Sequence, residues 1–179
     1  MDVQTIYGRL ASSFPQWLVA HNIDAIDPWI EIKAEGLLDV CRALRREEDL
    51  ALDMLHCITA VDYFEPDPKK AAQVPWQPHI ELVYHLSSLV RRHRLVLKTH
   101  VPRWLDDKPG LLPEVHSVSD IWRTAEWHER EVFDLSGVRF LGNPDMRRIL
   151  CPEDWAGHAL RKDYQMPAEY HGIPVGDRQ

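Results

Sequence analysis

The densest run of chemically capable residues is AEWHEREVFDLSGVRF, Ala125 to Phe140, which sets His128, Glu129, Arg130, Glu131 and Asp134 close together beside Trp127. Zinc-binding helices of the H-E-x-x-H type need a second His four residues after the first, and Val132 stands there instead. On a helix, Glu129 and Asp134 differ too far in phase to share a face, whereas Glu131 and Asp134, three apart, do share one. A paired-carboxylate acid–base site would need one of them desolvated, and charged helical faces are ordinarily solvated or salt-bridged. His79, Glu81 and His85 alternate along a predicted strand and share a face, read here as the wet side of a sheet. No G-x-S-x-G accompanies any serine, and eight glycines form neither a dinucleotide fingerprint nor a phosphate loop. Cys41, Cys57 and Cys151 are odd in number and lack any C-x-x-C, which argues against a disulfide framework, an iron–sulfur cluster or a cysteine-rich zinc site.

The elements that hold these residues are legible from periodicity. A chain of 179 residues is the size of one domain with an extension, large enough to bury roughly 70% of its unfolded surface. Val3, Ile6, Tyr7, Leu10 and Phe14 recur at helical spacing and predict a helix that ends near Ser13, before Pro15. A short strand is expected at Trp29 to Ile32, then a helix whose apolar stripe is Leu37, Leu38, Val40, Cys41 and Leu44. LHCITAVDYFE, HIELVYHL and RLVLKTHV alternate as antiparallel strands. PDPKKAAQVPWQP, with four prolines, is a surface excursion. Ser117 with Asp120 resembles a capping box for a short helix. A further helix is expected over 125–135, ended by Gly137. Helices and strands gathered in this way predict an α+β fold: a mostly antiparallel sheet with helices on one face.

The domain is assigned to 1–136 and an extended, irregular C-terminal arm to 137–179. Pro144, Pro152, Pro167 and Pro174 alternate with glycines along that arm, yet it keeps Ile149, Leu150, Trp155, Leu160, Tyr164, Tyr170 and Ile173. Disordered tails are poor in such side chains, and ordering each residue costs about 1–2 kcal/mol, so the arm is expected to gain its order by wrapping another polypeptide. The formal charge of -7 and pI near 5.8 argue against a general nucleic-acid binder. The arm has no basic excess either: Arg147, Arg148, Arg161, Lys162 and Arg178 are set against Asp145, Glu153, Asp154, Asp163, Glu169 and Asp177. Mixed charge with aromatics suits a protein interface. No apolar run is long enough to cross a bilayer and the N-terminus lacks a leader pattern, so membrane association is expected to be indirect.

The stretch SVSDIWRTAEWHEREVFDLSGVRFLGNPDMRRILCPEDWAGHALRKDY resembles the signature of the small hydrophilic C-type subunit of the proton-pumping NADH–quinone oxidoreductases, the respiratory complex I family. The matching positions are Glu129, Arg130, Glu131, Asp134, Gly137, Phe140, Pro144 to Leu150 and Leu160 to Tyr164; ITAVDYFE and IELVYHLSS match more loosely. Three positions depart from the family pattern: Ser136 where an apolar or aromatic residue is usual, Asn143 in place of His, and Glu126 in place of Asn. The resemblance implies a non-catalytic assembly subunit of the peripheral part of a membrane-bound complex, on the cytoplasmic side of the inner membrane. Its arm would lie on the quinone-site subunit, near iron–sulfur subunits. NADH, FMN, iron–sulfur clusters and quinone would then belong to partner subunits, with no cofactor, metal or catalytic residue in this chain. Glu129, Arg130, Glu131, Asp134, Arg147, Arg148, Trp155, Arg161, Lys162, Asp163 and Tyr164 would serve as partner-interface or arm-anchoring residues. Alternatives are the equivalent subunit of a membrane-bound hydrogenase-type complex, or a metal-dependent enzyme built on His128, Glu129 and Glu131.

Overall fold

Helix α1 spans Val3–Ser13; the Asp2 carboxylate caps it by accepting from the Thr5 N–H at 2.8 Å. The computed structural model describes residues 1–175, so Asp177 and Arg178 of the arm lie outside the described residues. Two short strands follow, β1 (Leu18–Asn22) and β2 (Trp29–Lys33), and then α2 (Leu37–Arg46), whose Leu37, Val40, Cys41 and Leu44 are fully buried. β3 (Met54–Tyr63), β4 (His79–Ser88) and β5 (His93–Pro102) form an antiparallel run in the order β5-β4-β3. The proline-rich excursion between β3 and β4 carries one turn of helix, α3 (Pro68–Ala71). β2 joins the other side of β5 in parallel and β1 closes that edge antiparallel, so the five-stranded sheet has the order β1-β2-β5-β4-β3.

Alternation decides which face is core. Ile80, Leu82, Tyr84 and Leu86 of β4 lie opposite Val101, Thr99, Leu97 and Leu95 of β5 and are buried together with Ile30 and Ile32. Ile6 and Leu10 of α1, the stripe of α2, and Ala125 and Val132 of α4 (Ala125–Ser136) complete the cluster. The opposite face is not simply wet. Glu81 is buried there, accepting from Lys98 Nζ at 3.1 Å and lying 3.3 Å from His100 Nε2, while His79 stacks between Tyr63 and His100.

β6 (Glu114–His116) and β7 (Arg139–Leu141) form a second, two-stranded parallel sheet. Residues 139–141, which the sequence pattern groups with the arm, thus belong to this sheet. The segment before α4 is a series of turns held to the stretch that leads into β3 and to the strand's first residues: Trp122 Nε1 donates to Leu52 O at 2.8 Å, and Thr124 Oγ1 to Leu55 O at 3.1 Å. The expected capping box is absent, because the Ser117 hydroxyl is used elsewhere and Thr124, the residue at the N-cap, makes no side-chain cap. Beyond Gly142 the arm runs through turns to a small hairpin, β8 (Glu169–Tyr170) and β9 (Ile173–Pro174).

Candidate functional site

Helix α4 is enclosed on several sides, and its charged residues are the means. Glu129, Arg130 and Asp134 are buried, whereas Glu131, read in sequence as sharing a helical face with Asp134, is exposed. The two phases of Glu129 and Asp134, too different for one face, serve two different segments. The Glu129 carboxylate accepts from Ser117 Oγ at 2.7 Å, the Val118 N–H at 2.8 Å and Asn143 Nδ2 at 2.7 Å. Burial pushes its pKa up, opposed by those three donors. Asn143, one of the positions that departs from the family pattern, is therefore a direct hydrogen-bond donor to this acid.

On the other phase, Asp134 gathers the arm. Its carboxylate accepts from Arg148 Nη1 at 2.6 Å and from three consecutive backbone N–H groups, Ile149 at 3.0 Å, Leu150 at 2.7 Å and Cys151 at 2.8 Å. Burial alone would raise this acid, but the Cys151 N–H, Arg148 and the remaining N–H donors outweigh it and hold the pKa down at about 2. Arg148 continues to Trp155 O and Gly157 O, both at 2.9 Å. Arg130 donates to Arg147 O and Arg148 O. Gly137 ends α4 at φ 69° and ψ 49°, and a Cβ there would come within 2.5 Å of the His158 ring. Only glycine accepts both the left-handed geometry and that close approach.

A second anchor lies farther along. Asp62 stands in the alternation Ile58, Ala60, Asp62 on the core face of β3, a position where an acid requires partners. It receives Arg103 Nε at 2.7 Å, Arg103 Nη2 at 2.9 Å and the Lys162 N–H at 2.8 Å. Arg103 Nη2 also reaches Asp163 at 2.7 Å. Arg161, buried, donates to Ser136 O, Arg103 O and Gly137 O at 2.9, 2.9 and 3.0 Å and lies over Trp104, 3.9 Å from its ring centre.

Of the sequence-predicted residues, Glu129, Arg130, Asp134, Arg148, Arg161 and Asp163 make contacts within the chain that fasten loop or arm to domain. Between residues 143 and 164 these contacts are to the chain's own domain, which corrects the expectation that the arm has only another polypeptide to lie on. Arg147 is exposed and pairs with Asp145, two residues away. Lys162 presents its backbone inward and is exposed. Trp155 Nε1 donates to Tyr164 Oη at 2.9 Å, so both belong to a small aromatic cluster with Tyr170. Asp62, Arg103, Ser117 and Asn143 are anchors that sequence reasoning does not select; an acid on the core face of β3 is the available signal for the first. His128, Glu129 and Glu131 do not converge, and among the described residues no three His, Cys, Asp or Glu side chains are grouped to hold a metal. No helix among the described residues is long and apolar enough to cross a membrane.

The arm exposes apolar side chains at intervals: Leu150 is 62% exposed and Leu160 60% on the fastened stretch, and Met166 56% and Ile173 67% beyond it. Leu150 and Leu160 donate their own backbone N–H groups to Asp134 and Leu135 O, so these side chains are held outward on a positioned backbone.

Residues 30–170 match the family described as "Respiratory-chain NADH dehydrogenase, 30 Kd subunit". The chain is 36% identical to the C subunit of the NADH-quinone oxidoreductase of Roseiflexus castenholzii, over 94% of this chain and 87% of that one. It is 38% identical to the C subunit of the Chlorobium phaeobacteroides enzyme, over 94% and 92%. Among solved structures, a chain of the membrane-bound sulfane sulfur reductase, an archaeal respiratory membrane complex, matches with a TM-score of 0.68 at 28% identity, covering 92% of this chain and 86% of that one. The trypsin-resistant fragment (1-134) of Nqo5 shares the fold, with a TM-score of 0.57 at 24% identity, over 81% of this chain and 99% of the fragment.

Proposed function

The chain belongs to the family of the 30 kDa subunit of respiratory-chain NADH dehydrogenases, and on that footing we propose that it is a non-catalytic docking subunit of a membrane-bound NADH–quinone oxidoreductase. The NADH-quinone oxidoreductase relatives, at 36–40% identity, support the complex I branch. In this reading the chain holds no cofactor of its own; NADH, FMN, iron–sulfur clusters and quinone are handled by other subunits, and the chain attaches to the membrane through them, on the cytoplasmic side. Its immediate partner is the quinone-site subunit, with iron–sulfur subunits adjacent.

The observation that carries the reading is the set of exposed apolar side chains on the arm: Leu150 and Leu160 on the stretch fastened to the domain by Asp134, Arg148 and Arg161, and Met166 and Ile173 beyond it. Ordering an irregular arm before docking removes much of the entropy cost of association. Arg147 and Lys162, exposed along the same segment, add charge to the rim. A second reading, the equivalent subunit of a hydrogenase- or sulfur-reductase-type complex, is favoured by the 0.68 TM-score to the archaeal complex. Affinity purification of the tagged chain from gently solubilised membranes tests both. Copurification of an NADH-oxidising, quinone-reducing complex is expected; a complex inert to NADH would support the second reading, and a chain recovered alone would refute both.

A further inference from the structure

The outer face of the five-stranded sheet carries a charged group that spans three strands. His100 of β5 stands between two acids. Its Nε2 lies 3.3 Å from Glu81 Oε2 on β4, directly across the ladder, and its Nδ1 lies 3.4 Å from Glu31 Oε1 on β2. Carboxylates offer only acceptors. A neutral imidazole has one N–H, enough for one of them, whereas imidazolium has an N–H for each. The Glu31 and Glu81 side chains are only 14% and 9% exposed, so solvent screens them little; His100, at 36%, keeps its access to water.

The surrounding charges leave room for that proton. Lys98 of β5 donates to both Glu81 oxygens, at 3.1 and 3.2 Å, and sits 4.8 Å from the Trp29 ring centre. It answers one of the two acids, which leaves one negative charge in the group until His100 is protonated. On β4, His79 lies against His100 with ring centres 4.1 Å apart and is backed by Tyr63 of β3 at 4.5 Å; its Nδ1 donates to Gln77 O at 2.7 Å. On the β2 side, Lys33, Glu35 and Glu114 border the same cavity of about 430 Å³ as Glu31 and His100, and all three are exposed. The Glu81 hydrogen bond raises the His100 pKa above its ordinary value; burial and Lys98 oppose this, and Glu31 adds to it.

Topology gives the proton a mechanical consequence. β2 joins β5 in parallel and carries β1 outside it, so within the sheet these two strands reach the antiparallel run β5-β4-β3 only across the β2–β5 junction. The contact between His100 and Glu31 crosses that junction, and the bond to Glu81 anchors the ring on its other side. We propose that His100 is a proton-operated clasp: as imidazolium it ties Glu31 of β2 to Glu81 of β4 across β5, and on losing its proton it releases Glu31 and loosens the β1–β2 edge. The folded pKa lies above the unfolded one, so the stabilisation is fully present below about pH 6.5 and is lost as pH rises through the folded value. The clasp belongs to the chain's own sheet and stands independently of the docking function.

The test follows the full-length wild type, His100→Gln and Glu31→Gln by NMR between about pH 5.5 and about pH 8.5. The His100 ring signals, assigned in wild type and absent from His100→Gln, should titrate with a midpoint above 6.5, and Glu31→Gln should lower that midpoint. Amide-exchange protection factors, which correct for the intrinsic pH dependence of exchange, supply the mechanical readout. Those of Ile30 and Ile32 should fall at least about threefold across the range in wild type, while that of Tyr84 on β4 holds. Both variants should lose that fall. Glu31→Gln keeps the imidazole and its Glu81 bond, so it carries the comparison even where His100→Gln does not fold. A wild-type midpoint at or below 6.5, protection at Ile30 and Ile32 that is constant with pH, or an equal fall in Glu31→Gln overturns the proposal.

Discussion

Replacing Asp134 with Asn should release the arm while leaving the sheet folded. The carboxylate accepts four bonds, one from Arg148 and three from consecutive backbone N–H groups, and an amide can satisfy only part of that set because its NH₂ would face donors. Depression of the Asp134 pKa from 3.8 to about 2 corresponds to about 2.5 kcal/mol of preference for the charged, folded form at neutral pH. Donors left unsatisfied add to that, while Arg148 keeps its two carbonyl partners, so a total loss of about 2.5–4 kcal/mol is expected. In a chain of this size that lowers Tm by about 5–12 °C. The folded value lies below the unfolded one, so this stabilisation is present above about pH 4 and lost as pH falls towards 2. Wild type and Asp134→Asn should therefore differ clearly at about pH 7 and converge near pH 2. Amide hydrogen exchange provides the local readout: Ile149, Leu150 and Cys151 should lose protection and β4 should keep it. Equal protection at 149–151 in the two proteins, or a stability difference that persists unchanged at low pH, would refute this role for the anchor.

Other positions give separate checks. Arg147→Ala should reduce incorporation into the membrane complex, read on native gels, while shifting the isolated chain's stability by less than about 0.5 kcal/mol, since its pair with Asp145 is exposed. Gly137→Ala should destabilise the fold by at least about 1 kcal/mol, measured by urea denaturation, because it combines a left-handed backbone with a Cβ approaching the His158 ring at 2.5 Å. Glu129 has a raised folded pKa, so its protonated form adds stability below the unfolded value near 4.5 that disappears as pH rises through the folded value. Glu129→Gln should flatten that part of the stability profile, measured by urea denaturation from pH 4.5 upwards.

Much of the fold was readable in the sequence because its signals are local. The alternation in HIELVYHL, the stripe Leu37, Val40, Cys41, Leu44 and the position of Gly137 each predicted an element that the structure contains. β1, five residues long with a half-exposed pattern, offered no such signal, and the parallel pairing of β2 with β5 joins strands far apart along the chain. The candidate site was legible as a set of residues but not as a set of contacts. Ser117 beside Asp120 looked like a cap because the sequence did not reveal Glu129 packing over it. The charged face of α4 reads in sequence as solvated or salt-bridged; Glu129, Arg130 and Asp134 are buried and bonded because irregular segments, invisible to periodicity, close over them, while Glu131 stays exposed. Which groups these anchoring residues would bond was not readable for the same reason: the bonds join side chains to backbone groups far away in sequence, as when the Lys162 N–H meets Asp62.

Hydroxyl-radical footprinting of the chain, alone and within the complex purified from membranes, tests the central claim most directly. Leu150, Leu160, Met166 and Ile173 should label readily in the isolated chain and be strongly protected after assembly, while buried Arg161 and Phe140 label weakly in both. Equal labelling of the four apolar residues in the two states would contradict a docking role for the arm.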